Sequence, residues 1–326
     1  MTRLSYKLQP AVWAVTAAVL SGCVSFTERQ SPSPDEGIPP APETFLHQSA
    51  ATHAPAIQVS NNWWRIYNDS TLDGLIDQLN NSSPDAEAAL ARMDQSFAVL
   101  GITRGALTPT VLGNASAGRR RDSLNNLLFP IATPEYERYQ IGVGASWELD
   151  LWGRVRGEVK RDRLTAEAAD LQFQDLLLSL QANLARQYFA VRSAKTELEI
   201  LRDALLIREE NLKLHESRLQ LGSGVEVDVA RARVELHNAR AAQEAAVRSL
   251  GRQRHAIATL IGVAPSEFQR DIPSNESAAS AIPQMPAGVP SALLERRADL
   301  RAADRTLRAA AVQVGVRKSD FLPKIT

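Results

Sequence analysis

Along one stretch of this chain, leucine or valine recurs at a strict spacing of seven: Leu177, Leu184, Val191, Leu198, Leu205, Leu212 and Leu219. A straight α-helix turns once every 3.6 residues, so such a row stays on one side only if the helix supercoils left-handedly around a neighbour. No proline interrupts Gly153 to Leu221, and at 1.5 Å per residue that helix is roughly 100 Å long. Gly222-Ser223-Gly224 breaks the pattern, and the period resumes with Val229, Leu236, Gln243, Leu250 and Ile257. Ala232, Ala239 and Ala246 form a second row that admits a neighbouring helix at close range. The spacing predicts a long antiparallel helical hairpin over residues 153–263. Periodicity alone fits two structures, a coiled-coil spacer or one wall of a helical conduit.

The amino end reads as a targeting segment. Arg3 and Lys7 precede a short apolar run, Ala11 to Leu20, and Leu20-Ser21-Gly22-Cys23 follows, resembling a bacterial lipobox. The run is too short to span a bilayer as a helix. Cys23 is the only cysteine, which excludes an internal disulfide. The expectation is a signal peptide over 1–22 and a covalent lipid on Cys23 as mature amino terminus. Val24, in place of aspartate, suggests outer-membrane sorting by resemblance to bacterial lipoproteins. Ser31-Pro32-Ser33-Pro34 and Pro39-Pro40-Ala41-Pro42 have no apolar period, so 23–60 reads as a semi-extended, lipid-anchored tether.

Order begins near Trp63-Trp64-Arg65-Ile66-Tyr67, and helical spacing interrupted by Pro84 makes 61–109 a helical region. Residues 110–121 alternate small residues up to Arg119-Arg120-Arg121, a weak strand pattern, and 122–137 read as a loop. The clearest alternation follows. Tyr139, Ile141, Val143, Ala145, Trp147, Leu149 and Leu151 fall on one strand face; Arg138, Gln140, Gly142, Gly144, Ser146, Glu148 and Asp150 fall on the other. Period two places a sheet between an apolar and a wet side. A membrane-spanning strand needs about 9–11 residues of this kind with interfacial aromatics, and Tyr139, Trp147 and Trp152 fit that role. A half-buried strand of a soluble sandwich gives the same pattern; the lipobox favours a membrane hairpin over 110–152. Tyr139, Ile141, Val143, Ala145, Trp147 and Leu149 are then lipid-facing, and Arg138, Gln140, Ser146, Glu148 and Asp150 lumen-facing. Glu148 and Asp150 share a face but have no nucleophile or metal cluster beside them, so they read as a water-facing strand end, not an acid/base pair.

Lys plus Arg equals Asp plus Glu at 37 each, which leaves no global field for nucleic acid. The five histidines, His47, His53, His215, His237 and His255, lack metal-ligand spacing, and no phosphate-cradling glycine loop occurs. Neither enzyme chemistry, metal nor other cofactor is expected, so any energy for transport comes from a partner. Ala98-Val99-Leu100-Gly101-Ile102-Thr103-Arg104 stands against Val312-Gln313-Val314-Gly315-Val316-Arg317-Lys318, and Leu107-Thr108-Pro109 against Phe321-Leu322-Pro323, a repeat offset by 214 residues. The helix-to-strand transition is thus written twice.

Three motifs carry a family resemblance. Trp147-Glu148-Leu149-Asp150-Leu151-Trp152-Gly153-Arg154-Val155-Arg156 resembles the strand-to-helix junction of TolC-like outer membrane factors. Pro286-Ala287-Gly288-Val289-Pro290-Ser291-Ala292-Leu293-Leu294-Glu295-Arg296-Arg297-Ala298-Asp299-Leu300 resembles their inter-repeat signature, with Ala298 where proline is usual. Arg218-Leu219-Gln220-Leu221-Gly222-Ser223-Gly224-Val225-Glu226-Val227-Asp228-Val229 resembles the hairpin tip. The chain is similar to the lipid-anchored branch that serves multidrug pumps.

That resemblance implies an α+β membrane protein, a partial copy of a trimeric β-barrel and α-barrel conduit. It implies a homotrimer in the outer membrane whose helices reach into the periplasm. Its partners are outer-membrane lipid, a periplasmic adaptor and an inner-membrane efflux pump, with no nucleic acid. Leu219, Leu221, Gly222, Ser223, Gly224, Val225 and Val227 form the expected adaptor-docking tip. Residues 264–287 read as an inter-repeat linker and 288–326 as the first helix of a second repeat. One β-hairpin and one helical hairpin stand where the family has two of each, so the resemblance implies a fragment or truncated frame ending at Thr326, with the constricting helices in the missing half. A non-conducting periplasmic coiled-coil lipoprotein, adaptor or spacer, is the alternative; it accepts the seven-residue rows but leaves the alternating strand and repeated junction unexplained.

Overall fold

The computed structural model describes residues 62–121, 135–274, 294 and 296–326. Cys23 with its lipobox, the tether, most of the 122–137 loop and most of the 286–300 signature lie outside the described residues. In chain order the described elements are a 3-10 turn Trp63–Tyr67, α1 Ser70–Ser82, α2 Pro84–Gly105, β1 Thr110–Arg121, β2 Glu135–Ser146, α3 Arg154–Gln220, α4 Glu226–Leu260 and α5 Ala298–Ser319. The protein is mainly helical, with a two-stranded antiparallel sheet. Among the described residues no helix is long and apolar enough to cross a membrane. The described residues divide into two compact units, one holding 98–165 and 304–326, the other holding 62–97 and 166–303.

The second unit has the larger core. Leu72, Leu75, Ile76 and Leu79 recur at helical spacing on α1 and are fully buried. They join Trp64, Leu184, Tyr188, Val191, Ile257, Ile261, Phe268 and Ile272 in one cluster. Phe268 and Ile272 lie in the segment expected to be linker, and its described part, 264–274, is instead anchored to this core. Arg254 reinforces it, with its guanidinium 5.8 Å from the Phe268 ring centroid, and Lys195 pairs with Asp271 at 2.6 Å.

α3 runs 67 residues and α4 returns for 35. Leu184, Val191 and Leu198 of the seven-spaced row are buried, Leu205 and Leu212 half-buried, and Leu219 exposed. Val229, Ala232, Leu236, Ala246 and Ile257 form the facing seam on α4. The seam is flanked by ion pairs Arg208–Glu235, Arg240–Glu209 and Arg233–Glu216, at 2.7, 2.9 and 3.2 Å.

α3 ends in a Schellman turn. Ser223 N–H donates to Arg218 O and Gly222 N–H to Leu219 O, both at 3.0 Å, and Gly222 sits at φ +70°. α4 ends the same way at Gly262, φ +73°, where a Cβ would lie 2.3 Å from the Ser82 carbonyl oxygen. Glycine there lets the end of α4 meet the end of α1.

The repeat is realised as a pair of helices whose C-terminal parts lie in the first unit. α5 begins and ends 214 residues after α2 (84 to 298, 105 to 319), each helix having 22 residues. The copies bury opposite faces. Leu100 is 4% exposed and its equivalent Val314 48%, whereas Ile102 is 77% exposed and its equivalent Val316 5%. α3 contacts both: Thr103 Oγ1 donates to Asp162 Oδ2, Arg161 Nη1 donates to Gln313 Oε1 at 2.7 Å, and a Cβ on Gly157 would lie 2.7 Å from Val316 Cγ2.

Candidate functional site

The register of the hairpin decides which residues share a face. Val111 opposes Ala145, Gly113 opposes Val143, Ala115 opposes Ile141 and Ala117 opposes Tyr139. Small residues on β1 therefore lie beside the large apolar residues on β2, and Ile141 is 87% exposed. From 111 to 117 the strand rises about 20 Å. Toward the strand ends joined by 122–134, this face becomes charged: Arg119 and Arg121 oppose Glu137 and Glu135, and Tyr139 Oη donates to Glu137 at 2.8 Å. The opposite face pairs Asn114 with Gly142, Ser116 with Gln140 and Gly118 with Arg138. One face is apolar at its middle and the other polar and small.

The strand is shorter than the alternation predicts at one end and longer at the other. β2 begins at Glu135, inside the expected loop, and ends at Ser146. Trp147, Glu148, Leu149 and Asp150, expected as lipid-facing or lumen-facing strand residues, lie beyond it, which corrects their assignment. The reason is their bonding. Asp150 Oδ1 accepts from Val155 N–H at 3.1 Å and Oδ2 from Arg156 N–H at 2.9 Å, satisfying first-turn donors of α3. Burial raises the Asp150 carboxyl, but the hydrogen bonds from Arg156 and Val155 outweigh it and hold the group below its ordinary value. Glu148 Oε1 accepts from Arg154 Nε at 2.8 Å, and that bond holds its carboxyl low against partial burial. Leu149 N–H donates to Ile325 O and the Trp152 indole N–H to Pro323 O, both at 2.9 Å. This stretch is a bonded junction; the odd-even rule ran on because the sequence keeps alternating after the ladder stops.

At the far end of the helical hairpin, Leu221, Val225 and Val227 are exposed apolar residues around Gly222-Ser223-Gly224, and Leu219 is exposed beside them. Val225 occupies the N-cap of α4 without a side-chain cap; Glu226 and Asp228 place negative charge against the helix N-terminus instead.

Sequence reasoning missed a buried polar cluster. Asp69 caps α1, its Oδ1 accepting from Thr71 and Leu72 N–H at 3.0 and 3.2 Å. Its Oδ2 accepts from Tyr188 Oη at 2.6 Å and from Arg192 Nη1 at 3.0 Å. Burial, then the hydrogen bond to Asp69, pushes the Tyr188 hydroxyl well above its ordinary range. Asp69 ahead of Ser70-Thr71-Leu72 is a readable cap signal, but the partners lie 119 and 123 residues away. Among the described residues no His/Cys/Asp/Glu group has the arrangement of a metal site.

Comparison with known proteins supplies the family. The model of the outer membrane efflux protein family matches residues 75–263. The chain is 30% identical over 318 residues to the solvent efflux pump outer membrane protein SrpC of Pseudomonas putida, covering 94% of this chain and 65% of that protein. It is also 30% identical over 303 residues to the pyoverdine export outer membrane protein OpmQ of Pseudomonas putida, covering 90% and 62%. The chain thus spans about two thirds or less of the length of such relatives. Among solved structures, the outer-membrane channel OprN superposes with a TM-score of 0.72 at 32% identity, covering 88% of this chain and 64% of that one. The Campylobacter jejuni CmeC outer membrane channel, 23% identical with a TM-score of 0.74 over 90% of this chain and 63% of its own, shares the fold. Helical hairpin, small antiparallel sheet and family match agree, and the chain belongs to the outer membrane efflux protein family.

Proposed function

We propose that this chain is the outer-membrane part of a tripartite efflux system, a passive conduit through which drugs or other small solutes leave the cell. The observation that carries the reading is the two-faced β1–β2 hairpin running directly from α2 and into α3. Its apolar middle, Val111 to Ala117 opposite Ala145 to Tyr139, has the large outward apolar residues of a lipid-facing strand, with Tyr139 at one end as an interfacial aromatic. Tyr139, Ile141, Val143 and Ala145 then meet lipid, while Arg138, Gln140 and Ser146 line water. Trp147 and Leu149 sit at the inner rim, and Glu148 and Asp150 hold the start of α3. The relatives' names, solvent efflux and pyoverdine export, are consistent with a pore that does not select a single cargo.

In this reading the working form is a homotrimer, each protomer adding strands to a shared β-barrel and helices to a periplasmic channel. Cys23 carries the lipid anchor. The exposed apolar residues at Leu219, Leu221, Val225 and Val227 dock a periplasmic adaptor, which links the conduit to an inner-membrane pump that supplies the energy. The conduit needs no catalytic group or cofactor. A non-conducting coiled-coil spacer remains the competing class, and the membrane face separates the two. Arginine at a mid-bilayer lipid-facing site costs about 2–4 kcal/mol. Val143→Arg should therefore sharply reduce the protein recovered in urea-resistant outer membranes, while Gly144→Arg, one residue along on the wet face where an added Cβ meets nothing within 4 Å, should not. Equal recovery of both variants would mean a soluble sheet.

A further inference from the structure

The two faces of the β1–β2 ladder differ in charge at their loop-side end. On the apolar face the charges balance: Arg119 and Arg121 stand opposite Glu137 and Glu135. Arg119 pairs with Glu135 at 3.5 Å, and Glu137 accepts from the Tyr139 hydroxyl at 2.8 Å. The polar face has no such balance. Every second residue from Thr110 to Arg120 and from Tyr136 to Ser146 lies on it, and the charged ones are Arg120 and Arg138 alone. Both acids of the ladder are on the other side. Glu148 and Asp150 continue the polar alternation but lie past the end of β2, bound to Arg154 and to the first turn of α3.

Arg120 opposes Tyr136 and Arg138 opposes Gly118, so the two arginines are diagonal neighbours across the ladder. Their backbone positions are about 7–8 Å apart. Two like charges there add nothing to strand pairing, and among the described residues no carboxylate on the same face of the ladder offsets them. A Cβ added at Gly118 would meet nothing within 4 Å, so the face is open beside them. Strand pairing therefore gives no reason for this pair of cations.

We infer that the loop-side end of the polar face is an anion-collecting stretch of the water path, with Arg120 and Arg138 as the residues that set its charge preference. Solutes bearing a carboxylate, sulfonate or phosphate are concentrated there, and cationic solutes of the same size are repelled. The inference rests on the conduit reading, in which this face lines water. Copies sharing one barrel bring their arginines to the same height, so the charges add, and low-dielectric walls focus the field. Preference of this kind needs no cargo pocket, because it acts on the sign of the solute's charge and not on its shape.

The test places a thiol on this face of the whole chain and compares two small charged reagents. Gly118→Cys lies opposite Arg138 and two residues from Arg120; Gly144→Cys, six residues from Arg138 on the same face, is the control, and a Cβ has open space at both sites. Outer-membrane fractions are treated with an anionic sulfonatoethyl or a cationic trimethylammonioethyl methanethiosulfonate. Rates are corrected for the parent chain and expressed relative to 2-mercaptoethanol. Two unit charges at about 7 Å in water at physiological salt should favour the anionic reagent at 118 by roughly fivefold, falling below about twofold in 1 M salt. Arg120→Gln or Arg138→Gln alone should reduce the preference to about twofold, and the two together should abolish it. The thiol at 144 should show no preference. A thiol at 118 with no anionic preference, or one that keeps it after both arginines are replaced, would overturn the inference. Membrane recovery is scored separately. Absence of the preference at 118 while Val143→Arg is still excluded from the membrane overturns this inference alone. Equal recovery of Val143→Arg and Gly144→Arg sinks the conduit reading, and with it the water path described here.

Discussion

Asp69 is the single acceptor for four donors: Thr71 and Leu72 N–H, the Tyr188 hydroxyl and Arg192 Nη1. The side chain of Arg192 is 3% exposed and that of Asp69 16%, so the pair is nearly removed from water. Arg192 Nε has no partner, and the guanidinium lies 5.8 Å from the Tyr188 ring centroid. Asp69→Ala removes the cap, worth about 1 kcal/mol, and strands a buried cation. Breaking a buried pair from one side costs roughly 3–5 kcal/mol, because the remaining charge is uncompensated. The two losses share one side chain and do not simply add, so the variant should lose about 4 kcal/mol. That is a large share of a domain's typical stability of roughly 5–15 kcal/mol. Arg192→Met removes the charge and leaves Asp69 its other three donors, so it should cost within about 2 kcal/mol. The double variant Asp69→Ala/Arg192→Met should be more stable than Asp69→Ala alone. Urea titration of detergent-solubilised protein, followed by far-UV circular dichroism, reads all three. A loss under about 1 kcal/mol for Asp69→Ala, or a double variant worse than that single, would refute the buried-charge argument.

Asp162 gives a pH dependence with a definite sign. Burial raises its carboxyl, but hydrogen bonds from Arg161 and Thr103 outweigh that and hold it below the ordinary value. Its stabilisation is therefore full above the unfolded value of about 3.9 and fades as pH falls through the lower folded value. Asp162→Asn should be destabilised at neutral pH, with the gap to the parent narrowing below about pH 4 in urea midpoints; a constant gap would contradict this. Cys23→Ser should abolish labelling with radioactive fatty acid and block signal cleavage, and unchanged labelling would end the anchoring proposal. Val225→Asp should reduce cross-linking to the adaptor while oligomers persist; collapse of the oligomer would instead make the tip a structural closure.

The seven-residue rows, the glycine reversal, the break at Pro84 and the offset of 214 residues were all legible in sequence, because each is a local or periodic constraint on the backbone. The two-faced strand was legible for the same reason, since side chains alternate whether or not a partner is present. Its limit at Ser146 was not. Alternation continues to Leu151, and only the carboxylates of Glu148 and Asp150, committed to Arg154 and to the first turn of α3, mark where the ladder stops. The Asp69 cluster was hidden because its members are more than a hundred residues apart. The repeat shows the division most clearly. Sequence made α2 and α5 two copies of one helix, yet Leu100 is buried where Val314 is exposed, and Ile102 exposed where Val316 is buried. An apolar pattern states which faces of a helix are able to be buried; contact with α3 decides which face is.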